Sequence, residues 1–296
     1  MSEPMDWEKT ISSALAQALG SDTAPNLTES IRYSILSPGK RFRPRLMEAT
    51  ADLLGLSTDY YLPFAVALEW IHGFTLIHDD LPCMDDDDYR RGLPTNHKVY
   101  GEALALLAGD ALVPAAIHST LKSLNAGCPP QHWQAALNQL LTNIGPKGVI
   151  GGQALEFLLT PQSGLEDLQK MHRLKTGALF ESAILIPAHL QGISPPAAAF
   201  LELQSFADAF GLAFQTADDL EDSEQDWDAQ SGYSYTSILA HLDFEEARSN
   251  ALIQIQKSLK ALQLRWGVSC ASLQTIAEQL EEKLKSAHPP SGRPRK

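Results

Sequence analysis

Apolar residues recur along the chain at intervals of three and four, as in Leu104, Leu107, Ala111 and Ala115 and again in Leu201, Phe206, Ala209 and Ala213. That interval lays a single stripe along an α-helix. Alanine and leucine are abundant and β-branched runs scarce, which favours helix over strand. The pattern breaks at Ser37-Pro38-Gly39, Gly92-Leu93-Pro94, Gly127 to Pro130, Gly145-Pro146, Thr160-Pro161, Gly192 to Pro196 and Gly232. Segments of helix length lie between these breaks, so the chain reads as all-α. No linker rich in proline, glycine and serine divides it, and no period of roughly 20 to 50 residues is present. Residues 1–285 are therefore expected to form a single domain, and residues 286–296, rich in proline and basic side chains, a solvated tail.

Composition narrows the function. With 44% hydrophobic and 20% charged residues in 296, the chain can bury a sizeable core. Its net charge of -13, from 36 acidic against 23 basic residues, argues against a nucleic-acid partner. Cys83, Cys128 and Cys270 are far apart and form no CxxC pair, which points to a reducing, cytoplasmic setting without a disulfide framework or zinc site. The first residues show no basic start followed by an apolar run, and no stretch of about 18 uncharged apolar residues occurs, so no membrane association is expected.

The acids are concentrated in two places. Asp79 to Asp88 holds six aspartates and follows an apolar helical pattern from Phe64 to Ile77. Ala65, Leu68, His72, Thr75 or Leu76, and Asp79 keep the three-four spacing, which puts His72 and Asp79 on one face about two turns apart. Pro82 disturbs the helix at that point, so spacing leaves open whether Asp85 or Asp86 returns toward Asp79. The second cluster, Asp218-Asp219-Leu220-Glu221-Asp222, crowds three aspartates onto one side of a helix. Such crowding is unfavourable without a cation, and hard divalent ions take carboxylate oxygens while sharing phosphate ligands. Either cluster by itself also reads as a solvated acidic surface. Scarce basic residues gather at Lys40-Arg41-Phe42-Arg43-Pro44-Arg45 and at Arg90-Arg91, where guanidinium forks and an ammonium suit phosphate oxygens.

Taken together these motifs resemble the trans-prenyltransferases, the farnesyl and geranylgeranyl diphosphate synthase family. Its DDxxxxD motif is matched by Asp79, Asp80 and Asp85 with Arg90-Arg91 after it, and its DDxxD motif by Asp218, Asp219 and Asp222. Gly39 to Pro44, Leu107 to Asp110, Gly151 to Ala154, Lys175-Thr176-Gly177 and Phe214-Gln215 stand in the family's order, and the resemblance spans residues 28–222. It implies a bundle of helices around a deep central cavity, the isoprenoid synthase type, and a homodimer. It also implies magnesium, three ions with substrate bound, held by Asp79, Asp85 and Asp218 and supported by Asp80, Asp219 and Asp222. Arg90 and Lys175 would neutralise the departing diphosphate of the allylic substrate. Lys40, Arg43, His72 and Arg91 would hold isopentenyl diphosphate, and Thr176 and Gln215 would steady the carbocation.

In the family, product length depends on bulk five and four residues before the first motif, here Phe74 and Thr75. Five residues span about 7.5 Å of helix, near one isoprene unit, so the Phe74 ring suggests farnesyl diphosphate as product. An ideal helix also turns about 140° over that distance, away from the line below Asp79. The alternatives are a geranylgeranyl diphosphate synthase, a class I terpene cyclase, which needs no isopentenyl site, and a degenerate partner subunit. The last is motivated by one departure. The family follows DDxxD with lysines, whereas residues 223–237 read SEQDWDAQSGYSYTS and no lysine follows Asp222 before Lys257.

Overall fold

Thirteen α-helices are described in a computed structural model, which covers residues 5–19, 24–224, 227–228 and 232–289. They are α1 (Trp7–Leu19), α2 (Pro25–Ile35), α3 (Phe42–Leu54), α4 (Thr58–Asp79), α5 (Asn96–Tyr100), α6 (Glu102–Asn125) and α7 (Pro130–Ile144), then α8 (Val149–Glu156), α9 (Leu165–His172), α10 (Ala178–Leu190), α11 (Ala198–Glu221), α12 (Phe244–Trp266) and α13 (Ala271–Ser286). A π-helical turn, Arg173–Gly177, joins α9 to α10. The breaks read from sequence fall between helices, with two differences. Strands β1 (Tyr89–Arg90) and β2 (Leu93–Pro94) form a small hairpin, and so do β3 (Trp227–Asp228) and β4 (Gly232–Tyr233). Arg91 (φ 53°) and Gly92 (φ 79°) make the turn of the first, the left-handed pair that tight hairpins require.

Two helices are apolar on every side and accordingly lie at the centre. In α4 every residue from Pro63 to Ile71 is buried, and in α10 nearly every residue from Ala178 to Leu190. Around them pack α3, α6, α7 and α11, with α12 and α13 covering the far side of α11. The buried hydrophobic residues of all of these helices form one core cluster.

Helix α6 corrects the stripe expected from its leucines. Ala105, Ala108, Gly109, Leu112 and Ala116 face α4, whereas Leu106 (47%) and Leu107 (51%) are exposed. Small side chains let the two helix backbones approach closely, and this outweighs the bulk of leucine on the other face. In α11, Phe206, Ala209 and Ala213 are buried as expected but Leu201 is not. By length and composition α6 is apolar enough to cross a bilayer, the one such helix among the described residues, yet its small-residue face is packed in the core. At the end of the chain α13 continues to Ser286 and Ala287 is buried, so the expected tail begins later than 286. Residues 290–296 of it lie outside the described residues, as do 225–226 and 229–231 of the lysine-free stretch.

Candidate active site

Helix α4 ends at Asp79, three residues before Pro82, and the chain then folds back on itself. The amide of Asp85 donates to the carbonyl of Asp79 over 2.9 Å, so Asp85 is the residue that returns. Asp86 takes the left-handed conformation instead (φ 54°). The rest of the acidic run is sorted by cations. Asp80, buried, is paired with Arg90, which also reaches Asp87 at 3.1 Å, and Asp88 pairs with Lys98 at 2.6 Å. Burial pushes the Asp79 carboxyl up to about 6, with the Lys175 ammonium pulling down and Asp85 adding repulsion. Asp85 is raised by the same desolvation.

Below Asp79 opens a cavity of about 420 Å³, within the range typical of small-molecule sites. Its wall carries Phe74, Thr75 and Leu76 of α4, Val149, Ile150 and Gln153 of α8, and Lys175 and Thr176 of the π-turn, with Arg43 and His72 at its upper end. The π-turn is gripped on two sides. A Cβ on Gly152 of α8 would sit 2.2 Å from the Lys175 amide, and one on Gly211 of α11 would sit 2.9 Å from the Gly177 Cα, so both close approaches need glycine. Widened helical turns recur at functional sites, and this one turns Lys175 toward the acids, where its Nζ pairs with Glu156.

The second acidic wall is the C-terminal end of α11. Asp219 is 6% exposed, and both its oxygens serve protein donors: Oδ1 accepts from Gln215 Nε2 (2.8 Å) and Oδ2 from the Ile238 amide (2.7 Å). Gln215 Oε1 in turn accepts from the Thr176 hydroxyl at 2.8 Å, which ties this wall to the cavity. Asp218 is paired with Lys283 of α13, which also reaches Glu221 at 3.0 Å, and burial raises the Asp218 carboxyl. Asp222 caps the end of the helix and is exposed.

The guanidinium of Arg43 lies over the Phe180 ring, 4.7 Å from its centroid, and its Nε has no hydrogen-bond partner. Burial lowers its pKa to about 10, opposed by the charges of Glu69 and Asp218, so it stays cationic at neutral pH and feels the second acidic wall. Burial and the surrounding arginines hold His72 well below the ordinary imidazole value, which keeps it neutral. Lys40 is exposed, and Arg91 donates to the Pro38 carbonyl at 3.1 Å beside it. Arg90 and Arg91 line a narrow crevice next to the cavity together with Asp80. Arg90, expected on the departing group, is thus engaged by Asp80 and Asp87 and holds the first acidic loop in place.

Two residues at the site escaped the sequence reading. Glu156 stands three residues beyond Gln153, which donates to it at 2.9 Å, a helical spacing that could have exposed it. Lys283 meets Asp218 across 65 residues of chain, and no local pattern marks it.

Among the described residues no three His, Cys, Asp or Glu side chains converge as a ready-made metal cage. The donor set nevertheless fits a hard divalent ion that completes its shell with phosphate and water. It offers carboxylate oxygens only. Burial raises the Asp79 and Asp218 carboxyls, and two ammonium groups, Lys175 and Lys283, stand against the acids.

The fold is that of the all-α isoprenoid synthases. The polyprenyl synthetase family model matches residues 24–234, and the chain belongs to that family. It is 42% identical over 219 residues to a chloroplastic geranylgeranyl pyrophosphate synthase of Capsicum annuum, covering 73% of this chain and 58% of that protein. It is 38% identical over 221 residues to a farnesyl diphosphate synthase of Geobacillus stearothermophilus, covering 74% of each. The crystal structure of an FPP/GFPP synthase from Zymomonas mobilis superposes with a TM-score of 0.83 at 33% identity, over 92% of this chain and 95% of that one. This chain therefore spans less than two-thirds of the Capsicum relative's length.

Proposed function

We propose that this chain is a short-chain trans-prenyltransferase that condenses isopentenyl diphosphate with dimethylallyl or geranyl diphosphate, giving farnesyl diphosphate. The observation that carries the reading is an apolar cavity lined by Asp79, Phe74, Lys175 and Thr176, with Thr176 linked through Gln215 to Asp219 of the second acidic motif. Magnesium, held through Asp79, Asp85 and Asp218, would neutralise the charge that develops on a departing diphosphate.

The chain's own residues supply the rest. Lys175 stands beside Asp79 and Asp85 and adds fixed positive charge where the leaving group forms. Arg43, with its unpartnered Nε, and the rim residues Lys40 and Arg91 suit the second diphosphate, and neutral His72 can donate to it without adding charge. Thr176 lines the cavity with its hydroxyl donating to Gln215 Oε1, which leaves the hydroxyl oxygen's lone pairs to steady an allylic cation, and the apolar wall excludes water that would quench it. Orientation of the two substrates in one cleft accounts for the remaining rate gain.

We also propose a homodimer, supported by the exposed Leu106 and Leu107 on α6, and a reducing, cytoplasmic setting, supported by three unpaired thiols of which Cys83 is exposed. Light scattering tests the first. For the activity, purified protein with magnesium and isopentenyl diphosphate is given each allylic diphosphate in turn, and products are weighed by mass spectrometry. Hydrocarbon without elongation would identify a cyclase. No elongation with any primer, together with altered output from a co-expressed synthase, would identify a non-catalytic partner.

A further inference from the structure

The sequence after the second acidic motif lacks lysine as far as Lys257, yet an ammonium is present at that wall, delivered from the last helix. Lys283 of α13 sits between Asp218 and Glu221, its Nζ 5.3 Å from the centroid of the Phe214 ring. Its side chain is 19% exposed, so it is largely enclosed at this wall. Arg43, which lines the cavity, feels the same Asp218 charge, so the Lys283–Asp218 pair lies within electrostatic reach of the cavity.

This arrangement has a consequence for ion binding. A divalent ion that takes an oxygen of Asp218 must displace the ammonium from it, because two cations cannot share that carboxylate without strong repulsion. Glu221 gives the displaced ammonium a second anchor, and the flexible four-carbon stem lets it move a short way without leaving the wall. A diphosphate bound there would offer the displaced ammonium a new anionic partner.

We propose that Lys283 is an exchangeable counter-cation of the second acidic wall: it neutralises Asp218 in the ion-free protein and serves the diphosphate once a divalent ion occupies that carboxylate. The inference rests on the prenyltransferase reading of the cleft and assigns to α13 the cationic role that the lysine-free loop leaves open.

The test uses the full chain, Lys283→Met and Lys283→Arg, with manganese as a spin probe and inorganic pyrophosphate as the anion. Lys283→Met removes a competitor, so manganese alone should bind several-fold tighter. The same variant should bind pyrophosphate about tenfold more weakly at saturating magnesium, while Lys283→Arg stays near wild type in both. This opposed pair of shifts is what a purely structural ion pair does not produce. Melting curves report folding separately. If Lys283→Met melts lower but leaves both affinities within twofold, or if both affinities fall together, the exchange is wrong. Wild-type protein that binds magnesium pyrophosphate yet elongates no primer would remove the prenyltransferase reading while the behaviour of Lys283 stands. Wild-type protein that binds no pyrophosphate would remove both.

Discussion

Asp219 and Asp222 belong to the same motif, but their surroundings give them different work. Asp219 is buried and accepts from Gln215 and from the Ile238 amide. Truncating it strands two donors away from water, which costs about 2–4 kcal/mol. Asp222 is exposed, and its loss should change stability by no more than about 0.5 kcal/mol. Urea titration of Asp219→Ala and Asp222→Ala checks this, and equal stabilities would show that the Asp219 network contributes nothing. Asp79 and Asp218 differ from both, since each is a desolvated carboxylate in the cleft beside another acid. Replacing either by alanine should leave the fold intact, because removing a destabilised charge relieves burial cost, but should lower turnover at least about a hundredfold. Near-normal turnover in either variant would take that residue out of the metal site.

Between helices, His172 at the end of α9 fastens the segment that follows the second motif. Its Nε2–H donates to the Thr236 carbonyl at 3.0 Å, and burial lowers its pKa to about 4. A histidine held neutral in the fold takes up its proton more readily once unfolded. Its contribution is therefore complete above the unfolded value near 6.5 and drains away as pH falls toward 4. The loss between pH 7.5 and pH 5 is about 2 kcal/mol. His172→Gln keeps a donor for Thr236 but cannot titrate, so its stability should fall by that much less over the same interval, and identical pH slopes would refute the assignment.

At this scale too, the division between legible and hidden features follows the range of the interaction. Helix boundaries were readable because Ser37-Pro38-Gly39 or Gly145-Pro146 act on their immediate neighbours. The acidic clusters were readable because crowding three aspartates within one turn is a local feature of the sequence. The inward face of α6 was misread, because Gly109 and Ala105 are chosen by the closeness of α4, which spacing along α6 does not contain. The choice between Asp85 and Asp86 rested on how the loop after Pro82 closes, and the role of Lys283 on how α13 docks on α11. Neither leaves a mark in the local sequence.

For the molecule as a whole, the proposed farnesyl product depends on Phe74 limiting the depth of the cavity, and the Phe74 ring is braced by its neighbours. Both Phe74 and Asp79 line the cavity, although an ideal helix would turn them apart. The Phe74 ring meets the His78 ring edge-on, 5.2 Å between centroids at 86°. His78 is fixed in turn, its Nε2 donating to the Leu106 carbonyl at 3.0 Å, and a Cβ on Gly109 would sit 2.1 Å from that nitrogen. Phe74 is therefore part of a stack running from α4 through His78 into α6, which under the proposed reading would keep its ring in place against a growing chain. Phe74→Ala should open the cavity downward and lengthen the main product by at least one isoprene unit, with elongation still proceeding because both acidic walls are untouched. The stability cost should fall below the roughly 3–5 kcal/mol of a fully enclosed phenylalanine, since one side of the ring already borders empty space. Mass analysis of products from wild type and Phe74→Ala with the same primer decides the matter: an unchanged chain length would place the floor elsewhere in the cavity.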